Sequence, residues 1–231
     1  MNNYWRGLSS TVGTKFLVAV TGAILVVFVF GHMLGNLQIY LGPEAINSYA
    51  VFLQSKPGLL WMARLGLLTA LIVHIWGISL LSLRNQDARP DGYALKKPVA
   101  STFSSRTMLP TGAILLAFIV YHLLHLTLGA IHPEYFHLTD ELGRHDVYSM
   151  TILGFQEPLV STFYILAMCF LGFHLGHGIA STFQTMGWSR PKLAPMIELV
   201  GRIVALVIVI GNISIPVTAL LGWIEPTQGA L

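Results

Sequence analysis

The sequence predicts an all-α integral membrane bundle of five transmembrane helices, a duplicated helix pair plus a fifth helix, with the N-terminus in the cytoplasm. Three observations carry this. The chain is 54% hydrophobic and only 10% charged, against about 25% charged residues in an ordinary soluble domain. Its apolar residues come in five blocks, 16–37, 59–83, 109–130, 159–183 and 199–223. Each is long enough to cross a hydrocarbon core about 30 Å thick, which takes roughly 20 helical residues. Finally, the basic residues are sorted by side. Arg6, Lys15, Arg84, Arg89, Lys96, Lys97, Arg106, Arg190, Lys192 and Arg202 fall on one side of the blocks, and only Lys56, Arg64 and Arg144 on the other. By the positive-inside rule the ten mark the cytoplasm. The formal net charge of +3 therefore orients the chain and does not indicate a nucleic-acid surface. The whole of 1–231 reads as a single membrane domain.

The elements follow in order. The first block is too long for a cleavable signal peptide, so none is expected. The second starts near Trp61, an amphipathic aromatic suited to the interface. The segment 84–105 is polar, holds two prolines and Gly92, and reads as a cytoplasmic connector. The segment 131–158 is the longest outer loop, gathers Glu134, Asp140, Glu141, Asp146 and Glu157, and has room for a short interfacial helix. The turn around Gly187-Trp188-Ser189-Arg190-Pro191 returns the chain to the fifth block, and Trp223 marks the outer interface. The single cysteine, Cys169, lies inside the fourth block. It has no disulfide partner in the chain and is expected to be a small packed residue.

One repeat stands out. Thr21-Gly-Ala-Ile-Leu leads to His32 as Thr111-Gly-Ala-Ile-Leu leads to His122. At a constant offset of 90, eight of seventeen positions agree between 21–37 and 111–127. The second and fourth blocks correspond more loosely, His74 to His174, each followed by a glycine within about one turn.

Nine histidines are present. His132, His137 and His145 fall in the outer loop and are expected to be solvated. His32, His74, His122, His125, His174 and His177 fall inside apolar blocks, where a polar side chain is costly and normally faces a partner. Blocks one and three run outward and carry His32 and His122 past their midpoints. Blocks two and four run inward and carry His74 and His174 past theirs. At 1.5 Å per residue the histidines form two layers, each with one imidazole from two helices. Imidazoles facing across a flat cavity are how a helix bundle ligates haem iron on both sides. Gly22 and Gly112 lie roughly 15 Å inward of His32 and His122, where a missing side chain would give a macrocycle room. The repeat favours His122 over His125, because Gly35 is the counterpart of His125. Spacing alone does not separate His174 from His177.

These residues resemble a known family. The Lys15-Phe-Leu-Val-Ala-Val-Thr-Gly opening, Gly31-His-Met-Leu-Gly-Asn-Leu, Pro43-Glu-Ala-Ile-Asn-Ser-Tyr-Ala, the Thr111-Gly…His122 helix and Phe173-His-Leu-Gly-His-Gly-Ile-Ala-Ser-Thr-Phe-Gln-Thr look like the cytochrome b558-type membrane anchor of succinate dehydrogenase. The resemblance covers nearly the whole chain. It implies a multi-pass protein of the bacterial inner membrane holding two haems b, with His32 and His122 on the distal iron and His74 and His174 on the proximal one. It also implies a flavoprotein subunit and an iron-sulfur subunit on the cytoplasmic side, and leaves room for a higher oligomer of the complex. Electrons from succinate would pass through both haems to a quinone, with menaquinone the expected species. The chain is then the non-succinate-binding subunit of the enzyme.

The sequence departs from some related anchors where a Gln-Ser pair precedes the first Thr-Gly, since Ala19-Val20 stand there. Candidates for the haem propionates are Lys15, Ser105, Arg106 and Gln184 at the cytoplasmic end and Arg64 at the outer end. Quinone chemistry needs an ionisable group beside an apolar slot, and Glu44, Asn47 and His125 are the candidates, with Glu44 also readable as a plain loop carboxylate. Two rival functions remain at this point. One is the dihaem anchor of another quinone-linked complex, such as a fumarate reductase, hydrogenase or nitrate reductase. The other is a metal or proton transporter, against which stands the near-absence of acidic residues inside the apolar blocks.

Overall fold

The structure is a computed structural model and describes residues 10–88 and 106–228. Helix α1 (Thr11–Asn36) is capped by Ser10, whose hydroxyl accepts from the Gly13 amide at 3.0 Å. A 3-10 turn over Leu37–Leu41 extends it. Gly42, at φ 97°, then turns the chain into α2 (Pro43–Gln54), which opens on a proline, a residue suited to the first helical turn. Helix α3 (Pro57–Asp87) follows. Beyond the connector come α4 (Met108–His122) with a π turn at Leu123–Thr127, and the short α5 (Pro133–Phe136). Helices α6 (Val147–Gln156), α7 (Pro158–Thr185) and α8 (Ala194–Leu220) complete the order. The described residues contain no strand, only an isolated bridge between Thr139 and His145.

Among the described residues, five helical spans are long and apolar enough to cross a membrane: Thr11–Leu41, Pro57–Asp87, Met108–Thr127, Pro158–Thr185 and Ala194–Leu220. Between 11% and 33% of each apolar window is buried inside the chain, so most of this surface faces outward and suits lipid rather than water. The spans overrun the apolar blocks at most ends because backbone hydrogen bonding continues past the hydrocarbon-like stretch. Two ends fall short instead. Gly129, at φ 62°, stops the third span before Ala130. Gly222, at φ 67°, stops the fifth, with the Trp223 amide donating back to the Thr218 carbonyl at 2.9 Å, as helices ending on a left-handed glycine do.

Helix α7 packs on α8, α4 and α1, while α3 is held mainly by α1. The α1–α3 approach is close: a Cβ on Gly77 would stand 2.5 Å from the Val18 side chain, and small residues permit such contacts between membrane helices. Helices α2, α5 and α6 cover one end of the bundle, here termed the capped end; the other is the open end. A core of Ile39, Phe118, Ile152, Phe155 and Tyr164 lies under the cap, and a second around Met33, Leu175 and Ile208 lies deeper.

Two expectations are corrected. Cys169 is exposed on α7, so it faces away from the other helices rather than packing among them. His145 is not a solvated loop residue. It is half-buried with its ring 5.1 Å from that of Phe136, and its Nε2 is sealed from solvent with no hydrogen-bond partner. The fold of 131–146 onto α6 encloses it. The expected connector at 84–105 lies outside the described residues after position 88.

Candidate functional site

The intramembrane histidines lie on four of the five spanning helices. His32, near the end of α1, and His122, the last residue of α4, face each other with ring centroids 5.7 Å apart and planes at 89°. Phe28 stacks on His32 at 5.3 Å, and Phe118 lies 5.8 Å from His122. An imidazole nitrogen stands roughly 2 Å from a metal it ligates, so rings gripping one ion from opposite sides have centres roughly 6 Å apart. The His32–His122 spacing is close to that figure.

A second layer is fixed by contacts between helices. Thr21 Oγ1 lies 3.2 Å from His74 Nδ1, and Thr111 Oγ1 lies 3.2 Å from His174 Nδ1. The same contact is thus made twice, α1 to α3 and α4 to α7. Eleven residues separate Thr21 from His32 and Thr111 from His122, about 16 Å of helix. His74 and His174 therefore share a level about one bilayer-leaflet thickness from the first pair, and they lie within electrostatic range of each other. The Thr111 contact singles out His174, rather than His177 one turn on, as the counterpart of His74.

Gly22 and Gly112 lie against the histidines of the second layer. A Cβ on Gly22 would stand 3.2 Å from His74 Cε1, and one on Gly112 would stand 3.5 Å from His174 Cε1. The missing side chains make room for imidazole rings in this structure.

His125 sits apart from these pairs. It is 4% exposed and pressed against α6, where a Cβ on Gly154 would stand 2.8 Å from its Nε2. The Tyr164 hydroxyl lies 3.0 Å from His125 Nδ1 and 3.3 Å from His122 Nδ1. A phenol has one proton, so Tyr164 donates to one ring and accepts from the other. Tyr164 is itself buried.

The other quinone candidates belong to a polar clamp at the capped end. Arg144 donates to Glu44 at 2.7 and 3.1 Å and to Asp140 at 2.7 Å. Asn47, fully buried, donates to Asp146 at 3.1 Å and Asp140 at 3.4 Å and accepts from the Tyr148 amide at 3.0 Å. Asp146 caps α6 through the Ser149 amide at 3.0 Å and accepts from Thr227 at 3.1 Å. The clamp ties α2, the loop before α6, α6 and the segment after α8 together. Hydrogen bonds from Arg144, then Ser48, pull the Glu44 carboxyl down to about 2. Burial works to raise Asp140 and Asp146, but the hydrogen bonds they accept outweigh it and hold both below the usual carboxylate range. The acidic composition of this loop was evident from sequence; its pairing with Asn47 and Arg144 was not. Asp146 three residues before Ser149 was the available signal, since aspartate favours the position before a helix.

Among the propionate candidates, Lys15, Arg106 and Gln184 are exposed at the open end, and Ser105 lies outside the described residues. Arg64 is at the capped end of α3, with its guanidinium 5.2 Å over the Trp61 ring. Among the described residues, no group of three or more His, Cys, Asp or Glu is placed to hold a metal ion.

The fold and its apolar spans define the class: a multi-pass, all-helical membrane protein. Comparison with models of known families, with curated proteins and with solved structures gives no match.

Proposed function

We propose that this chain is the dihaem cytochrome b membrane anchor of a succinate:quinone oxidoreductase, relaying electrons from an iron-sulfur subunit to a quinone. The observation that carries the reading is the facing of His32 and His122 at 5.7 Å together with a second histidine layer about 16 Å along the same helices. The absence of a third protein donor among the described residues supports a porphyrin over a bare ion. The sequence resemblance supplies the particular complex.

In this reading His32 and His122 hold the outer iron, and His74 and His174 the inner one. When bound, haem b would supply a one-electron couple, which suits electron transfer. The chain's own part is to hold the imidazoles, exclude water and set the environment. Phe28 and Phe118 pack beside the outer pair. The capping helices close the outer end. Quinone reduction takes protons as well as electrons, and His125, joined to His122 through Tyr164, is the quinone-side candidate nearest an iron ligand. Succinate is oxidised on the flavoprotein partner, and the basic open end faces the cytoplasm where that partner docks.

The test uses the complex purified with its native partners. Haem reduction by succinate is the expected result. Haem that responds to hydrogen, nitrate or another donor-acceptor pair but not to succinate or fumarate would assign the anchor to a different respiratory complex. Replacing His32 or His74 with alanine removes one haem each and leaves the other.

A further inference from the structure

The dihaem reading leaves Thr21 and Thr111 without a role, yet each makes the same contact to a histidine of the neighbouring helix. Thr21 Oγ1 lies 2.8 Å from the Leu17 carbonyl and 3.1 Å from the Val18 carbonyl of its own helix. Thr111 Oγ1 lies 2.6 Å from the Thr107 carbonyl and 3.1 Å from the Met108 carbonyl. A hydroxyl has a single proton and a carbonyl has none. Each threonine therefore donates to its own backbone and turns a lone pair toward the histidine.

The histidine nitrogens agree with this. His74 Nδ1 lies 3.2 Å from the Val18 carbonyl as well as 3.2 Å from Thr21 Oγ1. His174 likewise hydrogen-bonds the Met108 backbone besides Thr111. A ring nitrogen facing a carbonyl oxygen and an already-committed hydroxyl must be the donor. The proton of each neutral imidazole is then on Nδ1, and the free lone pair is on Nε2.

We infer that Thr21 and Thr111 are positioning residues for the inner iron, each accepting the Nδ1–H of a histidine on the neighbouring helix and so fixing that histidine as an Nε2 ligand. The inference rests on the dihaem reading. It gives each repeat helix two tasks: α1 and α4 supply a ligand to the outer iron directly and orient a ligand of the inner iron through Thr-Gly. The glycine admits the ring, and the threonine together with the neighbouring backbone carbonyl sets its tautomer and angle. A partner that accepts the outer N–H of a ligating histidine raises its basicity and favours the oxidised metal.

The test is a redox titration of purified wild-type protein and of Thr21→Val, Thr111→Val, Thr21→Ser and Thr111→Ser variants, with the His32→Ala variant marking the inner haem's wave. Each valine variant keeps the shape of threonine and removes its hydroxyl acceptor, leaving the Val18 carbonyl or the Met108 backbone as the remaining partner of the ring N–H. The expected result is a rise in the inner potential of about 59 mV, which is about a tenfold fall in the oxidised-to-reduced ratio at a given ambient potential for one electron. The outer potential stays in place, and serine restores the wild-type value. Valine variants that leave both potentials unmoved, or that move only the outer one, overturn the inference while the dihaem reading stands. A wild-type chain without two haems overturns the dihaem reading itself. Should one valine variant fail to fold, the other, on a separate helix pair, decides the question.

Discussion

Replacing Gly22 and Gly112 with alanine separates two accounts of why glycine stands there. Alanine gains roughly 0.5–1 kcal/mol over glycine in a helix interior at either site. At Gly112 the new methyl would meet His174 Cε1 at 3.5 Å, an ordinary contact, so the gain survives. At Gly22 the methyl would meet His74 Cε1 at 3.2 Å, and the ring is already held through Nδ1 by Thr21 and Val18. Relief requires moving a ring anchored twice through Nδ1, and overpacking of this kind costs roughly 1–3 kcal/mol. Gly112→Ala is therefore expected to be neutral or mildly stabilising, whereas Gly22→Ala loses about 1–2 kcal/mol net. In haem terms that loss is about tenfold weaker retention at the inner site. Thermal melting in detergent and haem content after repeated washing measure both effects. If a macrocycle rather than an imidazole fills the space over both glycines, the two alanine variants lose the inner haem to the same degree. Equal losses would refute the reasoning.

Other consequences are direct. His174→Ala is expected to abolish one haem while His177→Ala keeps both, because His174 alone of the two meets Thr111; haem quantitation decides it. Asp146→Ala removes the cap of α6 and the acceptor of the buried Asn47 amide. Losing a cap costs about 1 kcal/mol and stranding a buried donor about 1–3, so chemical or thermal unfolding is expected to move by about 2–4 kcal/mol with haem content initially intact. Acid weakens the same clamp. Glu44 is drawn down to about 2, and Asp140 and Asp146 are also lowered, against about 4 in an unfolded chain. The unfolded state then binds more protons between those values, so the clamp's stabilisation is complete above about pH 4 and drains away toward pH 2. Melting curves across this window are expected to fall more steeply for wild type than for Arg144→Gln.

Some of this architecture is written plainly in the chain. Blocks of apolar residues locate all five spans, because a lipid-facing helix has to be apolar all round and so announces itself. Their ends are less legible. Ser10 caps a helix that begins more than one turn before its apolar block, Pro57 opens one just before its block, and Gly129 and Gly222 end helices by backbone conformation rather than by polarity. Helix α2 was missed, although Pro43 and Glu44 form a recognisable helix start, since its 12 residues fall between two stronger signals. The histidine levels follow from rise per residue and needed no structure. The partners of Thr21, Gly22, Thr111 and Gly112 did need it: they lie on other helices, and spacing within one helix does not report what faces it. The Glu44–Arg144 pair, 100 residues apart, was hidden for the same reason. Composition reveals charge, not its pairing.

A reduced-minus-oxidised spectrum of the purified wild-type chain, with haem quantified per polypeptide, bears most directly on the assignment. Two haems b for each chain, falling to one when either His32 or His74 is replaced, is the expected result. A colourless protein, or one that keeps both haems after either replacement, would contradict it.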